Sequence, residues 1–155
     1  MKSKPMLPVL LFAIIISHSY IHKATAGNIV ADEIWMENKV YKKHRQPIVL
    51  FPHKKHFEEY NATCGDCHHD QFNSPLTSIK SGDDVLNCIE CHQIPRKAPK
   101  KQNGKKLTKQ QRLKYHADAI HYNCIGCHRE HNKKNKKKVR FKKAPRMCKD
   151  CHPKD

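Results

Sequence analysis

The sequence has few of the residues from which protein cores are built. Only 7% of its 155 residues are aromatic, and apolar residues are scattered along most of the chain. The one long apolar run, at residues 5–16, is too short to span a bilayer comfortably. Side chains alone would struggle to form a stable core here, so we expect disulfides, metals or cofactors to help hold the fold together.

This apolar run follows the positive head MKSK and precedes a small-x-small site at Ala24-Thr25-Ala26. That order is typical of a secretory signal peptide, so we predict that residues 1–26 are a signal peptide cleaved after Ala26. Retention of the run as a membrane anchor is the alternative. No other stretch is apolar enough to enter a membrane, so we expect no transmembrane segment in the mature chain.

Acidic residues are scarce as well. The chain has 14 of them against 31 lysines and arginines, which gives a net charge of +17. Loss of Lys2, Lys4 and Lys23 with the signal peptide lowers this charge to +14. A cytosolic protein this basic would suggest nucleic acid as a partner. Export argues against nucleic acid and favours acidic proteins or anionic surfaces.

Cysteine, by contrast, is well represented and regularly spaced. The eight cysteines form four Cys-x-x-Cys-His units with none left over. In an exported chain this unit is the attachment site for haem c, since two sulfurs form thioethers to the porphyrin vinyl groups and the histidine ligates the iron. The predicted attachment residues are Cys64, Cys67, Cys88, Cys91, Cys124, Cys127, Cys148 and Cys151. The predicted proximal ligands are His68, His92, His128 and His152.

Two other interpretations of the cysteine pairs stay open. The gaps from Cys67 to Cys88 and from Cys127 to Cys148 each hold 20 residues, which suits a zinc ribbon. Eight cysteines in a secreted chain could also form a disulfide framework. Neither alternative requires a histidine after every second cysteine, so the units favour four covalently attached haems c.

Histidine is too abundant for proximal ligation alone. Of 13 histidines, two would leave with the signal peptide and four are proximal, so seven remain for at most four sixth ligands. These seven are His44, His53, His56, His69, His116, His121 and His131. Methionine could compete and would raise the potential, but only Met36 and Met147 survive cleavage. Four bis-histidine haems are therefore the economical interpretation.

Closely spaced histidines suggest ligands that link neighbouring haems. His68 and His69 have Cα atoms about 3.8 Å apart, so their rings could point to opposite sides and bind two different irons. A solvated His69 is the alternative. His53 and His56 share a face of a helical turn, where they could cap two different haems.

Three stretches together resemble the class III multihaem cytochromes c, most closely the tetrahaem cytochrome c3 family. They are FPHKKH at 51–56, CGDCHH at 64–69 and HYNCIGCH at 121–128, and the resemblance covers residues 47–152. It implies one ligand pair for each haem, from the first to the fourth. The pairs are His68 with His53, His92 with His69, His128 with His56, and His152 with His121.

The resemblance also implies a periplasmic, low-potential electron carrier in anaerobic respiration, not an enzyme. The implied partners are acidic redox proteins, namely a hydrogenase, a formate dehydrogenase or a membrane-bound cytochrome complex. The basic run at residues 129–149, beside the fourth unit, is the predicted docking surface. The alternatives are a subunit of an extracellular or membrane-associated multihaem electron conduit and a multihaem reductase. A reductase would need an iron with an open position.

His121 is preferred to His116 as the sixth ligand of the fourth haem. The two lie five residues apart, so on a helix they point about 140° apart and cannot replace each other. His121 lies three residues before Cys124, beside the third attachment site, and could reach the fourth haem from there. The resemblance favours the same residue.

The expected fold is small and mostly α-helical or irregular. Short helices and loops would wrap around four stacked haems, possibly with a short N-terminal β-hairpin. Residues 27–46 are expected to form an N-terminal lead and residues 47–155 a tetrahaem cytochrome c3-like domain. Within it, PIVLF at 47–51 predicts a short strand, residues 110–122 a short helix, and the basic residues 96–114 a solvated linker or loop.

Overall fold

The computed structural model describes residues 31–138 and 142–152, so the predicted signal peptide lies outside the described residues. This part of the chain is a succession of short elements. In chain order they are β1 (Ile34–Trp35), β2 (Leu50–Phe51), α1 (His53–Glu58), a 3-10 turn (Cys64–Asp66), α2 (Cys88–Cys91), β3 (Lys101–Gln102), β4 (Lys105–Lys106), α3 (Lys109–Leu113), α4 (His116–Asn135) and α5 (Cys148–Cys151). The prediction of a small fold of short helices and irregular segments is confirmed.

The N-terminal strands form a small antiparallel sheet. The strand predicted at 47–51 is reduced to β2, which pairs with β1 so that Ile34 lies opposite Phe51. Residues 36–49 connect the two strands, a span too long for a tight hairpin turn. The N-terminal lead is thus attached to the segment that precedes α1.

The basic segment at 96–114 is more ordered than predicted. Asn103 and Gly104 have φ of 49° and 74°, the positive values that a two-residue hairpin turn requires, and β3 pairs antiparallel with β4 around them. Thr108 then begins α3, because its hydroxyl accepts the Gln111 N–H while the Gln111 side chain accepts the Thr108 N–H. The prediction of a plain loop was therefore wrong for residues 101–113.

The helix predicted at 110–122 is divided in two. Tyr115 has an extended backbone (φ −91°, ψ 119°), forms a parallel bridge with Ile94 and is 5% exposed. Burial of this ring against the chain after α2 outweighs the helical pattern. Beyond the break, α4 continues far past the predicted end and runs through the third Cys-x-x-Cys-His unit to Asn135.

Buried side chains within the described ranges gather at the junction of α3 and α4. Ala98, Tyr115 and Ala119 are the buried apolar residues there, joined by His116 and Asp118. The Asp118 carboxylate accepts the Ala98 N–H at 2.6 Å and forms an ion pair with Arg112. So small an apolar cluster agrees with the scarcity of core-forming residues in the sequence.

Candidate haem-binding site

Three of the four Cys-x-x-Cys-His units share one local structure. The first cysteine of each begins a single helical turn, in the 3-10 turn, in α2 and in α5. The N–H of His68, His92 and His152 donates to the carbonyl of the first cysteine of its own unit, at 2.8, 2.9 and 2.8 Å. This bond fixes the histidine backbone one turn beyond that cysteine, so the two thiols and the imidazole belong to one compact turn.

A carboxylate closes each of these three turns. The residue before the second cysteine is Asp66, Glu90 or Asp150. Its carboxylate accepts the backbone N–H of the residue before the first cysteine, at 2.7 Å in the first unit, 2.8 Å in the second and 3.0 Å in the fourth. The third unit has Gly126 at this position and lies inside α4 instead.

The first and third units are neighbours. The Asn123 side chain donates to the Cys67 carbonyl at 3.3 Å. Surrounding protein atoms, followed by Cys67, raise the pKa of Cys124 to about 11. The eight cysteines are free thiols, as thioether formation requires.

The structure brings the rings of three of the four implied histidine pairs close together. The ring centroids of His56 and His128 lie 6.2 Å apart, those of His69 and His92 6.0 Å, and those of His121 and His152 6.3 Å. In each pair, one histidine belongs to a Cys-x-x-Cys-His unit and the other lies elsewhere in the chain.

The spacing of these rings suits two imidazoles on opposite sides of one metal ion. A metal–imidazole bond is about 2.0 Å long, and the ring centre lies about 1.1 Å beyond the nitrogen. Two imidazoles on opposite sides of one ion therefore have centroids about 6.2 Å apart. Within the described ranges no three His, Cys, Asp or Glu side chains form a cluster that could hold a metal ion. A haem iron needs only two axial protein ligands, so paired imidazoles fit it.

The fourth implied pair, His53 and His68, is close enough for electrostatic coupling. The pKa of His68 is lowered by burial first, then by His53 and by His69. His53 Nδ1 is buried and has no hydrogen-bond partner in the described part of the chain. Buried polar atoms are nearly always paired in proteins, so this one points to a further group at the site.

Most of these histidines have one ring nitrogen held by the backbone. The Nδ1 atoms of His56, His69, His92, His128 and His152 lie 2.5–2.9 Å from the carbonyls of Pro52, Asp70, Leu113, Pro145 and Pro47. A carbonyl only accepts, so Nδ1 carries the proton and Nε2 keeps its lone pair. Second-shell bonds of this kind orient imidazole ligands in metal sites.

The adjacent residues His68 and His69 face different partners. His69 packs against His92 of the second unit, whereas His68 is coupled to His53. Asp70 holds the chain here, because its carboxylate accepts the N–H groups of Phe72 and Ser74, both at 2.8 Å. The turn that these bonds form follows directly after the His68–His69 doublet.

The histidines without a predicted ligand role lie elsewhere. His116 is 6% exposed, and its Nδ1 lies 2.9 Å from the Tyr41 hydroxyl. His44 stacks on the same tyrosine, with ring centroids 5.1 Å apart. His131 is near the end of α4, where its carbonyl accepts the Asn135 side chain at 2.9 Å.

Paired imidazoles beside reduced Cys-x-x-Cys-His turns, in a fold with little core of its own, define a small multihaem c-type cytochrome. The sequence profile of the Class III cytochrome C family matches residues 30–152. The chain therefore belongs to this family, which implies electron transfer by several covalently bound haems c. A search of curated proteins gave no significant match.

Sequence reasoning missed the residues that position these ligands. Asp66, Glu90 and Asp150 were visible as an acid before the second cysteine, and Asp66 and Glu90 also stand three positions after a capping residue type, at Thr63 and Asn87. Tyr41 and Asp118 carry no such signal, because their roles depend on contacts between distant segments. The backbone carbonyls that hold the imidazoles cannot be inferred from side-chain identity at all.

Proposed function

We propose that this protein is an exported, periplasmic, low-potential electron carrier with four bis-histidine haems c. Four thioether-forming cysteine pairs would hold the haems, with His68 and His53, His92 and His69, His128 and His56, and His152 and His121 as axial ligands. The single observation that carries the proposal is the opposition of three such histidine pairs at 6.0–6.3 Å, each beside its own cysteine pair.

Haem supplies a one-electron iron couple when it is bound, and the protein supplies the rest. The Nδ1 bonds to backbone carbonyls fix the orientation of the imidazoles and leave Nε2 as the nitrogen that would bind the iron. Two imidazole ligands give a lower potential than a histidine and a methionine would. With two histidines for each iron, the haems would leave no iron position open for a small substrate, which supports electron transfer over catalysis.

The proposed partners are acidic redox proteins such as a hydrogenase, a formate dehydrogenase or a membrane-bound cytochrome complex. The support is an exposed basic surface formed by the end of α4 and the segment that returns from it. Asn132 exchanges two hydrogen bonds with Ala144, at 2.8 and 3.0 Å, and His128 Nδ1 bonds the Pro145 carbonyl. These bonds hold the basic residues beside the third and fourth units.

In residues 31–138 and 142–152, no helix is both long and apolar enough to cross a bilayer. The proposed location in the periplasm rests on the family and on the predicted signal peptide. Export can be checked directly by the N-terminal sequence of protein recovered from the periplasmic fraction, which we expect to begin at Gly27.

The four haems are tested by intact mass and visible spectroscopy of the purified protein. The expected mass is that of the chain from residue 27 plus four haems, with a low-spin spectrum that carbon monoxide leaves unchanged after reduction. The bare chain mass, or a mass with bound zinc, would contradict the proposal. Carbon monoxide binding by the unmodified protein would instead indicate an open iron and favour a reductase.

A further inference from the structure

The carboxylate before the second cysteine makes the same contacts in three units. In the first unit, Asp66 Oδ2 accepts the Thr63 N–H at 2.7 Å and the Thr63 hydroxyl at 2.9 Å, while the Asp66 N–H donates to the Thr63 carbonyl at 3.1 Å. Glu90 with Asn87 and Asp150 with Met147 repeat the backbone exchange in the second and fourth units. We refer to this reciprocal pair of bonds as the carboxylate clasp.

The clasp is local, since its two residues are only three positions apart and are exposed to solvent. It needs no other part of the fold and can form in a chain that has not yet folded. The turn that it closes contains both cysteines, and it ends at the histidine whose N–H bonds the first cysteine carbonyl. The clasp therefore selects the backbone conformation that puts two thiols and one imidazole on a single turn.

We propose that Asp66, Glu90 and Asp150 are positioning residues for haem attachment, each holding its own Cys-x-x-Cys-His turn in the attachment conformation before the haem arrives. During attachment each thiol adds across one vinyl double bond: a carbon–sulfur bond forms, the thiol hydrogen ends on the other vinyl carbon, and no electrons are exchanged overall. Both thiols must react with the same macrocycle. A turn that has already formed holds them in place, so less chain entropy is lost when the second thiol adds.

The third unit has no carboxylate clasp, and the way its turn is formed supports this interpretation. It has no carboxylate at the corresponding position, where a Cβ added at Gly126 would meet nothing within 4 Å apart from its chain neighbours and the nearby backbone of α4. Its turn is instead formed by α4, which extends eight residues before Cys124 and eight after Cys127. A unit inside a long helix does not need the clasp, whereas the isolated turns do.

The test is haem occupancy measured at each unit separately. Asp66→Ala, Asp66→Asn, Asp150→Ala and the control Gly126→Ala are expressed as the full exported chain. The exported protein is then denatured and digested, and the fraction of each Cys-x-x-Cys-His peptide that carries haem is measured by mass spectrometry. Because the thioethers survive denaturation, this measurement does not require the variant to fold.

Loss of a capping contact lowers the population of a turn by about fivefold. We therefore expect haem occupancy of the first unit to fall severalfold in Asp66→Ala, with the other units near the parent level. In Asp150→Ala, occupancy of the fourth unit should fall instead. Asp66→Asn keeps an acceptor oxygen and should restore occupancy. Gly126→Ala should leave all four units loaded.

Unchanged occupancy in Asp66→Ala, an equal fall at all four units, or an Asn variant as poor as the Ala variant would each overturn the inference. The inference rests on the proposed haem attachment, but the two fail differently. A parent protein without haem at the four units contradicts the proposed function. A fully loaded parent with fully loaded Asp66→Ala and Asp150→Ala variants contradicts only the role of the clasp.

Discussion

At the scale of single residues, the site depends on which ring nitrogen of each histidine is free. Hydrogen bonds from Nδ1 to backbone carbonyls settle this for five of the predicted ligands. Three of the acceptors, Pro47, Pro52 and Pro145, are prolines. The sequence shows which residues are of a type that can bind iron. The orientation of each ring depends on a backbone carbonyl that the fold brings next to it.

Replacement of His69 by alanine should open one coordination position on the second haem. The ring centroids of His69 and His92 lie 6.0 Å apart, so His69 is the histidine placed to complete the ligand pair of His92. We expect a high-spin component from one haem of four, together with carbon monoxide binding after reduction, in an otherwise assembled protein. Electron paramagnetic resonance and visible spectroscopy measure both.

His44→Ala is the matched control, because His44 stacks on Tyr41 and does not face a Cys-x-x-Cys-His unit. It should stay fully low-spin. A low-spin spectrum in His69→Ala as well would assign His69 to the solvent and contradict the bridging role.

The assignment of His121 over His116 leads to a second residue-scale prediction. His121 faces His152, while His116 is hydrogen-bonded to Tyr41 in a buried position. His121→Ala should therefore produce a high-spin fourth haem, and His116→Ala should keep low-spin haems but unfold more easily. The opposite spectra in the two variants would reverse the assignment.

At the scale of elements, the sequence predicted those whose signals are local. The strand at Leu50–Phe51 and the helical turn that carries His53 and His56 follow from composition and spacing. The β3–β4 hairpin could also have been predicted, since Asn103-Gly104 is a strong turn signal within the basic segment. The break at Tyr115 could not, because it depends on packing against Ile94, a residue about twenty positions earlier.

Asp118 links α4 to α3 and to the irregular segment before β3, and it provides a prediction of stability. Its carboxylate accepts the Ala98 N–H and pairs with Arg112, and it is 9% exposed. Asp118→Ala leaves both donors without their partner, so the free energy of unfolding should fall by about 2–3 kcal/mol. Denaturant unfolding of the haem-loaded protein measures this change.

Glu130→Ala, an exposed position on the same helix, is the control for helix composition and charge. It should change the unfolding free energy by about 0.5 kcal/mol or less. Equal effects of the two substitutions would mean that the α3–α4 junction does not contribute to stability in the way the contacts indicate.

At the scale of the whole molecule, charge is distributed unevenly. Lysines at the end of α4 and in the segment from residue 142 onward are exposed, and the fold holds this surface against the third and fourth units. Surface charge of one sign increases association rates with oppositely charged proteins, and salt screens the effect over about 8 Å at physiological ionic strength. The sequence predicted the basic run at residues 129–149 and its position beside the fourth unit, but not the hydrogen bonds of Asn132 and His128 that hold the returning segment against α4.

This arrangement predicts electron transfer that depends on salt and on one particular set of lysines. Glutamine at Lys133, Lys134 and Lys136 should lower the association rate with an acidic redox partner about tenfold at low salt, with little effect at high salt. Stopped-flow reduction by the partner measures the rate. Glutamine at Lys101, Lys105 and Lys106 removes the same charge from the β3–β4 hairpin and should have the smaller effect. A rate independent of salt in the parent would contradict docking by charge.

The hydrogen bond from His152 Nδ1 to the Pro47 carbonyl, at 2.7 Å, joins residues 105 positions apart. It connects the N-terminal and C-terminal parts of the described chain. Closing so long a loop costs chain entropy. Only a chain that includes the final unit can form the contact that closes it. We therefore expect a chain that ends before Cys148 to be cut around Pro47 by an added protease faster than the full chain is, because it lacks this contact.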